Sequence, residues 1–106
     1  MDHNYDKPEP TRDEVNGWNG PAILEFGAGW CPHCQAAQPA IESVLAAHPD
    51  VKHVKVGDGK GKPLGRSFQV KLWPTLIFLK DGTEAARAVR PTTPAEVQNG
   101  VDAITS

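Results

Sequence analysis

A short apolar run that breaks at a glycine turn and re-enters as a helix constrains this chain more than any other stretch. Ala22-Ile23-Leu24-Glu25-Phe26 has the length and composition of a buried strand. Gly27-Ala28-Gly29 turns the chain out of it, and a helix is predicted from Cys31 or Pro32 to about Ala47. Pro32 suits a first helical turn, where its missing N–H has no partner to lose. Ala37, Ile41, Val44, Leu45 and His48 recur at helical spacing and form one apolar stripe. Pro39 should kink this helix, and Pro49 should stop it.

The flanking segments extend the pattern. Thr11-Arg12-Asp13-Glu14 fits a capping box, so a short helix is predicted to about Asn16, ended by Gly17, Gly20 and Pro21. Val51 to Val56 alternates apolar and polar residues and reads as a second strand, followed by a loop from Gly57 to Gly65 and a helical turn around Leu64 to Phe68. Thr75 to Leu79 is a third strand, Asp81-Gly82 a hairpin turn, and Thr83 to Val89 a fourth strand. Thr93-Pro94-Ala95-Glu96 combines an N-cap, a proline at the first helical position and a glutamate at the third. It opens a terminal helix with Val97, Val101 and Ile104 facing inward. The order α-β-α-β-(α)-β-β-α is an α/β arrangement: one mixed four-stranded sheet with helices on both faces. At 106 residues there is room for one domain, residues 11–106. Residues 1–10, with Pro8 and Pro10, are expected to be a flexible arm.

A formal net charge of −2 gives no electrostatic footprint for nucleic acid or an anionic membrane. No apolar run approaches the ~18–20 residues that a membrane span needs. Met1 to Glu9 is polar and lacks an apolar signal core, so the cytoplasm is the expected location. A chain whose signal peptide had been removed would look the same and would be periplasmic. A monomer is the default expectation for one uncrowded domain.

The chain has two cysteines, Cys31 and Cys34, in Trp30-Cys31-Pro32-His33-Cys34. A disulfide between them closes so small a ring that loop entropy contributes about 2 kcal/mol at best, against ~3 for a fifteen-residue loop. Such a pair serves better as a redox couple than as a staple. In disulfide exchange the thiolate attacks, and a cysteine between a strand-exit turn and a helix start meets unpaired N–H groups and the positive end of the helix dipole. Cys31 is therefore expected to be the exposed nucleophile, and Cys34, one turn later, the more buried resolving thiol. Zinc is an alternative, with His33, His48 and His53 as further ligands, but one Cys-x-x-Cys supplies only two of the usual four. No metal is expected. A purely structural pair is the other alternative.

Phe26-Gly27-Ala28-Gly29-Trp30-Cys31-Pro32-His33-Cys34 resembles the strand-turn-helix active site of the thioredoxin family. Pro39 falls where that family kinks its active-site helix. Val70-Lys71-Leu72-Trp73-Pro74-Thr75, followed by a strand and Asp81-Gly82, resembles the family's cis-proline loop and hairpin. The resemblance covers about residues 11–105. It implies a thioredoxin-like fold and a cis bond from Trp73 to Pro74, which places the Trp73 backbone beside the nucleophilic sulfur to pair with an extended substrate peptide. It implies that Glu25, costly inside an apolar run, is the buried acid beneath the second cysteine. Burial would raise its pKa and suit it to exchange a proton with Cys34. A solvated strand end, or an ion pair with Lys55, is the alternative.

Pro32-His33 resembles the dipeptide of DsbA-type oxidases, which also carry the strand glutamate. His33 is expected to stabilise the Cys31 thiolate and make the disulfide more oxidising. Other positions depart from the family. Gly27 replaces a common aromatic residue, Trp73 is bulky for its place, Arg90 stands about where a glycine lines the substrate groove, and the family's first strand has no counterpart before Thr11. Trp30 is expected to pack beside the site.

The expectation is a thiol–disulfide oxidoreductase acting on cysteine-containing proteins. No cofactor is expected beyond the redox-active Cys31–Cys34 pair itself, and a thioredoxin reductase is a candidate recycling partner. A DsbA-like oxidase or isomerase, a non-catalytic thioredoxin-like binding module and an assembly chaperone are the alternatives.

Overall fold

Strands form where apolar side chains alternate between two covered faces, and the central strand here is apolar on both. In the computed structural model, which describes residue 5 and residues 7–105, β1 spans Pro21–Gly27. Ala22, Leu24 and Phe26 point to one face, where they meet Val15, Val56, Leu64 and Phe68. Ile23 points to the other, against Ala37, Ile41, Val101 and Ile104. Glu25 shares the Ile23 face by the period-two rule.

The remaining elements follow the sequence closely. Helix α1 (Arg12–Asn16) opens on the capping box, with Thr11 and Glu14 each bonding the other's backbone. Helix α2 spans Pro32–Leu45, with Pro39 inside it, and β2 spans Lys52–Gly57. A short helix α3 (Pro63–Ser67) leads to β3 (Thr75–Lys80), β4 (Thr83–Val89) and α4 (Pro94–Thr105). Asp81 and Gly82 both have positive φ, as a tight right-twisted hairpin requires. Among the described residues the sheet runs β2-β1-β3-β4, with β1 parallel to β2 and the other pairs antiparallel. The core clusters place α2 and α4 on one face, and α1 and α3 on the other.

The expected loose arm is corrected at Tyr5. Residues 1–4 and 6 lie outside the described residues, but Tyr5 is only 5% exposed. The cause is a gap in the sheet surface. Gly27 and Gly57 are register partners on β1 and β2. A Cβ on Gly27 would sit 3.2 Å from the Tyr5 ring, and one on Gly57 would sit 2.5 Å from the Tyr5 carbonyl oxygen. Two adjacent residues without side chains thus leave a bare floor on which Tyr5 lies.

Candidate active site

Cys31 is the N-cap of α2. Its backbone is still extended, and its sulfur accepts a hydrogen bond from the Cys34 N–H at 3.3 Å. The loop before it is fastened by the Gln35 amide, which donates to the Gly29 carbonyl at 3.0 Å. The expectation of an exposed nucleophile is corrected: Cys31 is 4% exposed and Cys34 1%. Both sulfurs pack with Ala28, and Trp73 closes over them. Burial, the hydrogen bond with Cys31 and the charges of Cys31 and Glu25 push the Cys34 thiol up to about 12, outweighing a bond with the Ala28 backbone.

Beneath Cys34 lies a polar network that only the three-dimensional fold assembles. Glu25 is fully buried. Its Oε2 accepts hydrogen bonds from the Tyr5 hydroxyl and from Gln38 Nε2, the latter at 2.8 Å. Its Oε1 lies 2.8 Å from His53 Nε2. Gln38, one turn after Cys34 on α2, also donates to the Cys34 carbonyl at 3.0 Å and accepts from Lys55 Nζ at 2.9 Å. The expected upward shift of Glu25 is therefore corrected in sign. Burial pushes the carboxyl up, but the bonds from His53, Tyr5 and Gln38, with the His53 charge, together hold it below its ordinary range. Glu25 lies within ion-pair distance of His53; a pair with Lys55 was the alternative reading. Burial and the Glu25 charge push the Tyr5 hydroxyl well above its ordinary range.

The Trp73–Pro74 peptide is cis, as the resemblance implied. Pro74 is buried at the start of β3. Trp73 Nε1 donates to Asp58 Oδ2 at 2.9 Å, and Trp30, 73% exposed, stands edge-on to the Trp73 ring with centroids 5.7 Å apart. Arg90 has a φ of 50°, a glycine-like conformation. It reaches Trp73 with its side chain: Nε donates to the Trp73 carbonyl at 2.8 Å, so one lone pair of that carbonyl is already engaged. Pro32 and His33 are exposed on the first turn of α2, and the Cys31 sulfur accepts from the Cys34 amide. His33, His48 and His53 do not form a metal-ligand set with the cysteines. His53 meets Glu25, His48 lies 3.5 Å from Gln98, and no group of three potential metal ligands occurs among the described residues.

One sulfur caps a helix, and its partner one turn later is kept protonated until it is needed. That division of labour is what exchange of a disulfide asks of two cysteines, and it makes the chain a thiol–disulfide oxidoreductase. A family model for thioredoxin matches residues 5–103, and the chain belongs to the thioredoxin family. It is similar to the reduced form of thioredoxin 2 from Pseudomonas aeruginosa PAO1, with 50% identity and a TM-score of 0.85 over 96% of this chain and 94% of that one. It is 34% identical to a thioredoxin of Chlamydia pneumoniae over 71 residues, which cover 67% of this chain and 70% of that protein. Over 67 residues, 58% of this chain and 13% of the relative, it is 45% identical to protein disulfide-isomerase A2 of Pongo abelii. Sequence reasoning missed Tyr5, and weighed His53 only as a metal ligand. The signal for Tyr5 was the pair Gly27 and Gly57, legible only once their strands are set in register.

Proposed function

We infer that the protein reduces disulfides in other proteins, with Cys31 attacking and Cys34 resolving. The Cys31 sulfur bonds one substrate sulfur as the substrate disulfide breaks and its other sulfur leaves as a thiolate. Cys34 gives up its proton to Glu25 and attacks Cys31. The Cys31–Cys34 bond forms, the Cys31–substrate bond breaks, and the substrate leaves reduced. The order of steps is built into the pair. In the dithiol, a hydrogen bond and charge from Cys31 add to the burial that pushes Cys34 up. A Cys31 locked in a mixed disulfide carries no charge, so those two influences go and Cys34 is released to react.

Trp30 and Trp73 form the docking surface beside the sulfur. The Trp73 backbone pairs with the substrate strand, and Arg90 fixes that backbone. The exchange uses the cysteines alone, without metal or organic cofactor. A dithiol reductant of the thioredoxin-reductase kind restores the pair. The protein works as a monomer in the cytoplasm; no helix among the described residues is long and apolar enough to cross a membrane.

The direction rests on His33. An imidazole at the Cys31 sulfur would favour an oxidising pair, but His33 is exposed and the sulfur accepts from the Cys34 amide. A second reading, oxidase or isomerase, draws on Pro32-His33 and on the likeness to protein disulfide-isomerase A2. A redox titration separates them. A potential near about −270 mV supports the reductase, and one above about −180 mV overturns it in favour of the second reading. Full insulin-disulfide reduction by Cys31→Ser would refute both.

A further inference from the structure

Glu25 takes a proton in every cycle and must lose it again, yet it is fully buried. Three side chains hydrogen-bond it. Gln38 is an amide and does not titrate. Tyr5 is buried, and its hydroxyl is already a donor to the carboxylate. His53 is different: it sits on β2, its side chain is 26% exposed, and Nε2 lies 2.8 Å from Glu25 Oε1. An imidazole is also a stronger base than a carboxylate held below its ordinary range. His53 also lines a groove of about 590 Å³ between α2 and β2, together with Ile41, Glu42, Leu45, Lys55 and Lys7. None of the groove's residues belongs to the Trp30–Trp73 surface.

We propose that His53 is a positioning residue for the resolving step, the port through which the Cys34 proton leaves the buried Glu25 for solvent. The inference rests on the reductase reading and deepens it. Cys34 passes its proton to Glu25 as its sulfur bonds Cys31 and the substrate thiolate departs. Glu25 hands the proton to Nε2 of an imidazole that carries its own proton on Nδ1, and His53 releases that Nδ1 proton into the groove. The departing thiolate takes its own proton from water, so the proton count is conserved. Because the port opens away from the docking surface, the proton leaves while the substrate protein still covers the cysteines. Among the described residues, the charged groups around the port are Glu25 from β1, Lys55 from β2, Glu42 from α2 and Lys7 from the arm.

The test separates the two half-reactions by acid-quenched mass spectrometry of the Cys31 mixed disulfide, across pH 5 to 9. Attack is followed in a Cys34→Ser background and release in the full dithiol. His53→Gln keeps a donor for Glu25 but cannot carry the proton. Its ratio of release to attack should fall roughly tenfold, less than the ~10²–10⁴ of a group acting on the sulfur itself. The pH profile of release should also change shape relative to the parent, while that of attack should not. In His53→Ala, added imidazole should restore release in proportion to its concentration. A His53→Gln profile that overlays the parent, or a His53→Ala rate indifferent to imidazole, overturns the port and leaves the reductase reading standing. Failure of Cys31 to form any mixed disulfide overturns the reductase reading itself.

Discussion

Replacing Tyr5 by Phe removes one oxygen and keeps the ring on its glycine floor, so it isolates the bond from the arm to Glu25. A hydrogen bond to a charged acceptor is worth about 1.5–3 kcal/mol. Glu25 Oε2 keeps Gln38 as a donor, so the loss should fall in the lower half of that range, about 2 kcal/mol. At 1.36 kcal/mol per pH unit, the folded-state carboxyl should titrate roughly 1.5 units higher. The sign follows from Glu25 lying below its unfolded value in the native protein. Its contribution is complete above the unfolded pKa and fades as pH falls through the folded one. Tyr5→Phe should therefore be destabilised at pH 7 and should converge with the parent as acid protonates Glu25 in both. Urea unfolding of the reduced proteins, followed by tryptophan fluorescence from pH 7 to pH 3, measures this. In calorimetry the loss at neutral pH corresponds to a Tm roughly 8–16 °C lower. A loss under about 0.5 kcal/mol at pH 7, or one independent of pH, would refute the claim that the arm holds this carboxylate.

Other outcomes follow from the same geometry. Iodoacetamide at pH 8 should label Cys31 ahead of Cys34, whose thiol is pushed up by burial and by Cys31; peptide mass spectrometry reads the initial rate at both sites, and equal initial rates would contradict the assigned roles. Arg90→Gly relieves a left-handed residue, worth about 1–2 kcal/mol, while cutting the bond to the Trp73 carbonyl. Its stability should stay within about 1 kcal/mol of the parent while KM for a protein disulfide rises several-fold. An unchanged KM would remove Arg90 from the docking surface.

What could be read from the sequence was what short-range chemistry dictates. The Thr11 capping box, the Pro94 helix start, the Asp81-Gly82 hairpin and the Cys31 helix start each depend on residues a few positions apart, and each formed as expected. The errors share a different cause. Tyr5 is 20 residues from Glu25 and His53 is 28 away, so neither contact leaves a local trace. Without those donors, burial alone decided the expected direction of the Glu25 shift, and the direction was wrong. Cys31 was expected to be exposed because a helix start usually is. Trp73, from the loop before β3, packs against the cluster that holds it.

The floor formed by Gly27 and Gly57 also bears on where this enzyme begins as a unit of inheritance. A cut at Thr11, where composition places the domain edge, would keep every strand and helix and still discard the aromatic wall behind the cysteines. The match to the family runs from residue 5, which includes it. Recombination or engineered fusion at this end is therefore not neutral. A grafted leader that cannot lay an aromatic ring on those two glycines would transplant the thiols without the environment that governs them.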